Sequence, residues 1–449
     1  MFLFIFLKHF RDAFRHNIKL IDSTLFPHFY VKVKCAIVKE EIYDLLKVNK
    51  VNKMENHRNF AGRFDWKLFF ILVIFLIISL LAISSAQTTG QYGATNFVIK
   101  QLQWYVIGAF IVAFVMYFEP DQYKKMSWYL YGFGVLLLLL LIFMPEGPGQ
   151  LGEPVNGAKS WYHLPIGNIQ PSEFMKTFYI LAVSRVISKH HEQYGIKTIK
   201  TDFILLGKIG LTLFVPLAFI MSQPDLGSSL VFLAITAAII IVAGISWKII
   251  LPVFISGVAV GGTLLWMAIY MQTFLEEKLG FSHYQFARIY SWLDPYAYSS
   301  DWGYHLITSL NAIGSGEIFG KGYMDREVYV AENHTDFIFT VIGEEWGFLG
   351  ASFVICLYFL LIYHLTKTTL TLKDPFCTYV CAGIIAMITF HVFENIGMTI
   401  QLLPITGIPL PFLSYGGSSL MGNALAIGLV FSMKFHYRTY MFSASDDED

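Results

Sequence analysis

From Asp65 onward the chain alternates between long apolar runs and short polar or charged stretches. Ten runs are long enough to cross a bilayer as helices: roughly 67–86, 98–118, 127–144, 172–188, 203–221, 227–245, 248–271, 337–364, 377–400 and 416–434. In lipid every backbone polar group must be satisfied within the structure, so helices are the expected form. The prediction is an all-α polytopic membrane protein with ten transmembrane helices. Basic residues set its orientation. Arg58, Arg63 and Lys67 precede the first run, and Lys or Arg follow the second, fourth, sixth, eighth and tenth (Lys124, Arg185, Lys248, Lys367 and Lys434 among them). By the positive-inside rule both termini are cytoplasmic, and the longest connection, 272–336 between helices 7 and 8, faces outward. That loop carries Trp292, Trp302 and several glycines among apolar residues, which predicts a folded re-entrant or interfacial element. No internal repeat is visible.

Composition agrees with a bilayer as solvent. Hydrophobic residues make up 55% of the 449 positions and charged residues 14%, against about 25% in soluble domains. A soluble enzyme is excluded. The formal net charge of zero also argues against a nucleic-acid partner. That zero hides an asymmetry: residues 1–53 hold ten Lys or Arg and five acids, leaving a body with 22 basic and 27 acidic residues. The expected organisation is a basic extension at 1–53 outside the fold with Met54 as the true start, a membrane domain at 54–438 and an acidic tail at 439–449. Four cysteines give no disulfide framework, and Cys356, Cys377 and Cys381 read as small core residues.

Ionisable groups at membrane depth are candidates for function. Four clusters qualify. In Gln170-Pro171-Ser172-Glu173-Phe174-Met175-Lys176, Pro171 suits a first helical turn and places Glu173 and Lys176 on one face, either as a plain ion pair with Trp161 as an interfacial anchor or as a phosphate-binding pair. In Gln223-Pro224-Asp225-Leu226-Gly227, Asp225 either caps the next helix or orients a cation. His391, Glu394 and Asn395 share a helical face and read foremost as helix–helix glue. The fourth cluster is Glu332-Asn333-His334-Thr335-Asp336-Phe337 followed by Gly343-Glu344-Glu345-Trp346-Gly347. Asp336 stands where the outer loop re-enters the membrane, with Thr340 and Gly343 below it on one helical face. It serves there as an N-cap or as a general base whose pKa is raised by desolvation. His334 and Glu344 lack a metal-ligand spacing.

These clusters, in this order, together with Leu403-Pro404-Ile405-Thr406-Gly407-Ile408-Pro409-Leu410-Pro411-Phe412-Leu413-Ser414-Tyr415-Gly416-Gly417-Ser418-Ser419, resemble the SEDS family (shape, elongation, division and sporulation), which includes RodA and FtsW. The resemblance runs from about Phe64 to Arg438. It implies a peptidoglycan glycosyltransferase that joins lipid II disaccharides outside the cell membrane, beside a class B penicillin-binding protein as transpeptidase partner. Asp336 matches the family's essential carboxylate and becomes the expected general base. Trp161, Glu173, Lys176 and Asp225 match its other functional positions, and Lys176 with Arg288 would stabilise the departing pyrophosphate. Lys159, Lys321 and Arg326 are the other outer cations open to that role. A divalent cation (Mg or Mn) near Asp336 or Asp225 is compatible with the chemistry without being demanded by the sequence. A lipid II flippase and a non-catalytic scaffold of the elongation or division machinery are the alternatives. The 316–322 loop and the Asn333-His334 pair look more like RodA than FtsW. Three positions depart from the family pattern: Ser160 stands in place of a second basic residue, Ala331 in place of a proline, and Gln401 in place of glycine, adding bulk in what reads as a packed helix.

Overall fold

The computed structural model describes residues 60–89, 96–145, 151–153, 159–164, 167–271, 283–298 and 302–437. The expectations for residues 1–53, for Met54 as start and for the tail at 439–449 lie outside them. The described chain divides into two compact units. In the smaller, Lys434 pairs with Asp65 at 2.6 Å and Arg63 lies over the Phe435 ring.

The larger unit, Trp66–Met433, is helical wherever an apolar run was expected. In chain order the helices are α1 (Trp66–Ala86), α2 (Phe97–Tyr117), α3 (Pro120–Phe143), α4 (Pro171–Gln193), α5 (Ile199–Ser222), α6 (Leu226–Val242), α7 (Trp247–Tyr270), α8 (His283–Leu293), α9 (Trp302–Ser315), α10 (Ile338–Thr371), α11 (Pro375–Thr399) and α12 (Gly417–His436), the last running on into the smaller unit. Eight of them, all but α4, α6, α8 and α9, are long and apolar enough to cross a membrane. Their starts follow local chemistry. Asn96 caps α2 through Ile99 N–H, Thr198 caps α5 through Thr201 N–H, and Asp374 followed by Pro375 opens α11. The long loop is folded where described, holding α8 and α9.

Burial ranks the helices. Helix α4 packs on α3, α5 and α11, while α11 packs on α6 and α10. Most residues of α4, α11 and α12 are buried, polar ones included, whereas α7 exposes most of its apolar residues. A helix apolar on every exposed face is at home against acyl chains.

A short antiparallel hairpin, β1 (Tyr162–Leu164) paired with β2 (Gly167–Ile169), leads into α4 and leaves the all-α class intact. Three expectations need correction. Cys356 is exposed on α10, while Cys377 and Cys381 are buried as expected. Gln401 lies beyond the last helical residue of α11, in the left-handed region at φ 61°, which explains a preference for glycine by conformation and not by packing. The residue is half-buried and exchanges two hydrogen bonds with Trp292: its side-chain Nε2 donates to Trp292 O, and the indole Nε1 donates to the backbone Gln401 O, both at 3.1 Å. Finally, the eighth apolar run is not one straight helix.

That run breaks at Gly347 (φ 61°, ψ −158°). An unbroken helix would bond Phe348 N–H to Glu344 O and Leu349 N–H to Glu345 O. Instead Phe348 and Leu349 donate to the carbonyls of Glu317 and Ile318, while Glu344 O and Glu345 O accept from the amides of Lys321 and Gly322. The 317–322 loop thus replaces the two lost helical bonds with four of its own. Such contact needs bare backbone, since a Cβ on Gly320 would lie 2.1 Å from Glu345 O. Side chains complete this clasp. Glu344 Oε1 accepts from Lys321 Nζ at 3.0 Å and from the amides of Glu327 and Val328, and Glu345 Oε1 meets Arg326 Nε at 3.4 Å and the Ser85 hydroxyl.

Candidate functional site

Helix α4 brings the first pair together as its sequence predicts. Pro171 is the first helical residue, and one turn later Lys176 Nζ donates to Glu173 Oε1 at 2.8 Å. Both are buried, at 1% and 5% exposure, so neither charge is tolerable without the other. Lys176 also donates to His391 Nε2 on α11 at 3.0 Å.

Around this pair lies a cleft of about 280 Å³, lined by Gln170, Glu173, Lys176, Asp225, Ser228 and His391 and closed by Gly407, Ile408 and Pro409. Asp225 is the N-cap of α6. Its Oδ1 accepts from Ser228 N–H at 2.9 Å, and its Oδ2 accepts from the Ser228 hydroxyl at 2.7 Å and from Gln170 Nε2 at 2.9 Å. The capping role is therefore realised, and both oxygens already hold donors. Trp161 is half-buried ahead of the hairpin, between Ser160, which donates to Gln223 O, and Tyr162, which donates to Leu137 O. Among the described residues no hydrogen bond or ring contact ties it to the cleft.

Asp336 does not cap α10 and is not on its helical face: Phe337 occupies the cap position, and Asp336 sits in the turn before it. Thr335 N–H and Phe337 N–H both donate to Glu332 O, which holds the turn closed. The backbone of Asp336 is fixed by Asn395 on α11, whose Nδ2 donates to Asp336 O at 2.7 Å and to Ile408 O at 2.8 Å. One amide therefore ties the carboxylate's turn to a wall of the cleft. Gly407, in the left-handed region at φ 73°, completes the junction: a Cβ there would lie 3.3 Å from Asp336 Oδ2. The Asp336 side chain is surrounded on most sides yet half-buried, and no hydrogen bond is made to its carboxylate among the described residues. Burial, then the nearby charge of Glu332, raises its pKa to about 7, opposed by Arg288. A carboxyl group so placed is suited to accept a proton near neutrality.

The cations divide. Lys159 Nζ donates to the carbonyls of Ile142 and Met144 and so caps the end of α3. Lys321 pairs with Glu327 and Glu344, and Arg326 with Glu345. These three have structural partners, because loop and helix backbone bring carboxylates and carbonyls to them. Lys176 lines the cleft, and the charge of Arg288, on α8, is felt at Asp336. His334 is packed between the rings of Phe97 and Tyr415, and Glu344 is held by the clasp. Among the described residues no three His, Cys, Asp or Glu side chains converge as a metal-ligand set. Asp225, whose oxygens hold donors, is a poor cation ligand, whereas Asp336 has oxygens to offer. A Mg²⁺ or Mn²⁺ ion there would have to draw most of its ligands from a substrate's phosphates and water.

Sequence reasoning undervalued Asn395 and His391, treating them as glue. The signal was present in their i, i+4 spacing opposite a lysine-bearing helix, but which groups they meet depends on tertiary packing.

A family model described as a cell cycle protein, FtsW/RodA/SpoVE, matches residues 63–439. The probable peptidoglycan glycosyltransferase FtsW of Pasteurella multocida is 32% identical over 82% of this chain and 89% of its own length. Stage V sporulation protein E of Bacillus subtilis is 32% identical over 83% of this chain and 98% of its own. The peptidoglycan glycosyltransferase RodA of Treponema pallidum is 30% identical over 82% and 97%. Among solved structures, the rod shape determining protein RodA of Thermus thermophilus aligns with a TM-score of 0.58 at 25% identity, over 83% of this chain and 96% of that one. A chain of a peptidoglycan synthase complex aligns at 0.67 with 24% identity, over 83% and 97%.

Proposed function

The chain belongs to the FtsW/RodA/SpoVE family, and from that premise we propose that it is a multi-pass bacterial membrane glycosyltransferase that polymerises lipid II into glycan strands during elongation or division. The observation that carries this reading is Asp336, a half-buried carboxyl group with its pKa near 7, tied through Asn395 to a cleft that presents a buried ammonium.

In this reading α4 and α6 also cross the membrane, making ten spans, with both termini cytoplasmic and the 272–336 segment outside. The hydroxyl of an acceptor lipid II sugar attacks the anomeric carbon of a chain held on undecaprenyl pyrophosphate. Asp336 takes the hydroxyl proton as the new glycosidic bond forms, and the bond to pyrophosphate breaks with inversion. Lys176 and Arg288 offset the charge that develops on the departing pyrophosphate. Glu173 holds Lys176 in place, Asp225 fixes the start of α6 beside it, and Trp161 belongs to the surrounding substrate surface. A divalent cation would supply further charge neutralisation on the pyrophosphate when bound. A class B penicillin-binding protein is the expected partner, cross-linking the peptides of the strand made here.

The test is polymerisation of purified lipid II by the full chain with its transpeptidase, read as glycan ladders on gels, for wild type and Asp336→Asn. Wild type should polymerise and the variant should not. A wild type that moves lipid II across vesicles without polymerising it would establish the flippase instead, and an Asp336→Asn protein as active as wild type would remove Asp336 as base.

A further inference from the structure

His391 is buried at 1% exposure on α11 and makes two hydrogen bonds. Their partners determine where its proton sits. An ammonium can only donate, so the Nε2 that meets Lys176 Nζ at 3.0 Å must be bare. A carbonyl can only accept, so the Nδ1 that meets Met387 O at 2.7 Å must carry the hydrogen. The imidazole is therefore neutral, a fixed tautomer held by its own helix and presenting a lone pair to Lys176.

The consequence falls on Lys176. An ammonium has three N–H groups in tetrahedral array. One goes to Glu173 Oε1 and one to His391 Nε2, and two fixed directions determine the third. With Glu173 alone, the ammonium could turn about a single hydrogen bond. We infer that His391 is a positioning residue: its Nε2 lone pair fixes the Lys176 ammonium so that one N–H remains directed to an anionic phosphate oxygen in the cleft. Being uncharged, His391 adds no second charge to the Lys176–Glu173 pair, and what the pair offers a ligand is the third N–H of the ammonium. This rests on the glycosyltransferase reading above, in which that ligand is a pyrophosphate.

Near-isosteric substitutions separate this role from packing. The amide oxygen supplied by His391→Gln can reach the place of Nε2, while the shorter amide of His391→Asn reaches only the place of Nδ1. His391→Leu supplies bulk and neither polar atom. Full-length variants are assayed for lipid II polymerisation with the transpeptidase present, recording kcat and KM separately, and for melting in detergent. His391→Gln should keep kcat within about threefold, whereas His391→Asn and His391→Leu should lose about tenfold or more in kcat with a smaller change in KM, because charge on the leaving group develops in the transition state. The opposite order, with the Asn variant active and the Gln variant impaired, would show that the bond to Met387 O is what matters and would overturn the inference. So would equal kcat in all variants, or loss of folding in all three. If wild type itself does not polymerise, the glycosyltransferase reading fails and this inference falls with it; if wild type polymerises, the rank order of the Gln and Asn variants judges the inference alone.

Discussion

In the cleft, one buried ammonium meets one carboxylate and one imidazole and keeps an N–H in reserve; in the clasp, two buried carboxylates meet a lysine, an arginine, a hydroxyl and two backbone amides. Both are ion-pair networks within one helical unit, and the difference is what each leaves unsatisfied. Glu344 is surrounded by donors from its own chain, so the clasp has a folding task. Among the described residues Lys176 has two partners for its three N–H groups and Asp336 has no hydrogen bond to its carboxylate, so the cleft is arranged to receive a ligand. Buried charge alone does not identify a site, and neither does one unmet oxygen, since Glu345 Oε2 in the clasp is also buried without a hydrogen-bond partner among the described residues; unfilled capacity that opens onto a cleft does.

This contrast predicts that substitutions in the cleft change rate and those in the clasp change stability. Asp336→Asn should have the largest effect on rate, a loss of about 10²- to 10⁴-fold in polymerisation, measured as strand product per time. The same variant should fold at least as well as wild type. Because the native pKa is raised above that of an unfolded aspartate, ionisation costs stability progressively between the unfolded value near 3.8 and about 7, and the variant should melt higher than wild type above pH 7. Lys176→Met should cut polymerisation by about 10²- to 10³-fold and also lower the melting temperature, since it leaves Glu173 buried without its counter-charge. The double change Glu173→Gln/Lys176→Met should recover melting but not rate, which separates the two consequences.

Arg326→Met tests the other region. It should cost about 3 kcal/mol of stability by leaving Glu345 without its cation, while polymerisation per folded molecule stays within about twofold. A large rate loss in folded Arg326→Met protein would erase the distinction between the two networks. Smaller still is the effect of Glu332→Gln. Glu332 helps to raise the Asp336 pKa, so kcat/KM, which should rise with pH through about 7 as the base ionises, should show that rise at a lower pH in the variant. Gln401→Gly should change melting least: relief of a left-handed non-glycine residue, about 1 kcal/mol, opposes loss of the bond to Trp292 O, of similar size.

The apolar runs were legible because lipid imposes helices on them, and Pro171, Glu173 and Lys176 were legible because an i, i+3 pair after a helix-starting proline is local geometry. Asp225 was equally readable as a cap. What could not be read was who meets whom across the fold. Lys321 and Arg326 looked like free outer cations because Glu344 and Glu345 are far along the chain, and the break at Gly347 is hidden in a run whose composition is that of one span. Asp336 was found as a candidate base, but the tie through Asn395 that brings its turn to the cleft joins residues 59 positions apart.

The exchange of bonds at Gly347 has a dynamic corollary. The amides of Phe348 and Leu349 are protected only while the 317–322 loop is seated, and those of Lys321 and Gly322 only while the helix end is in place. Neither side can open without exposing the other. Deuterium should therefore enter these four positions together, with a single opening free energy shared by a loop and a helix that are not adjacent in sequence.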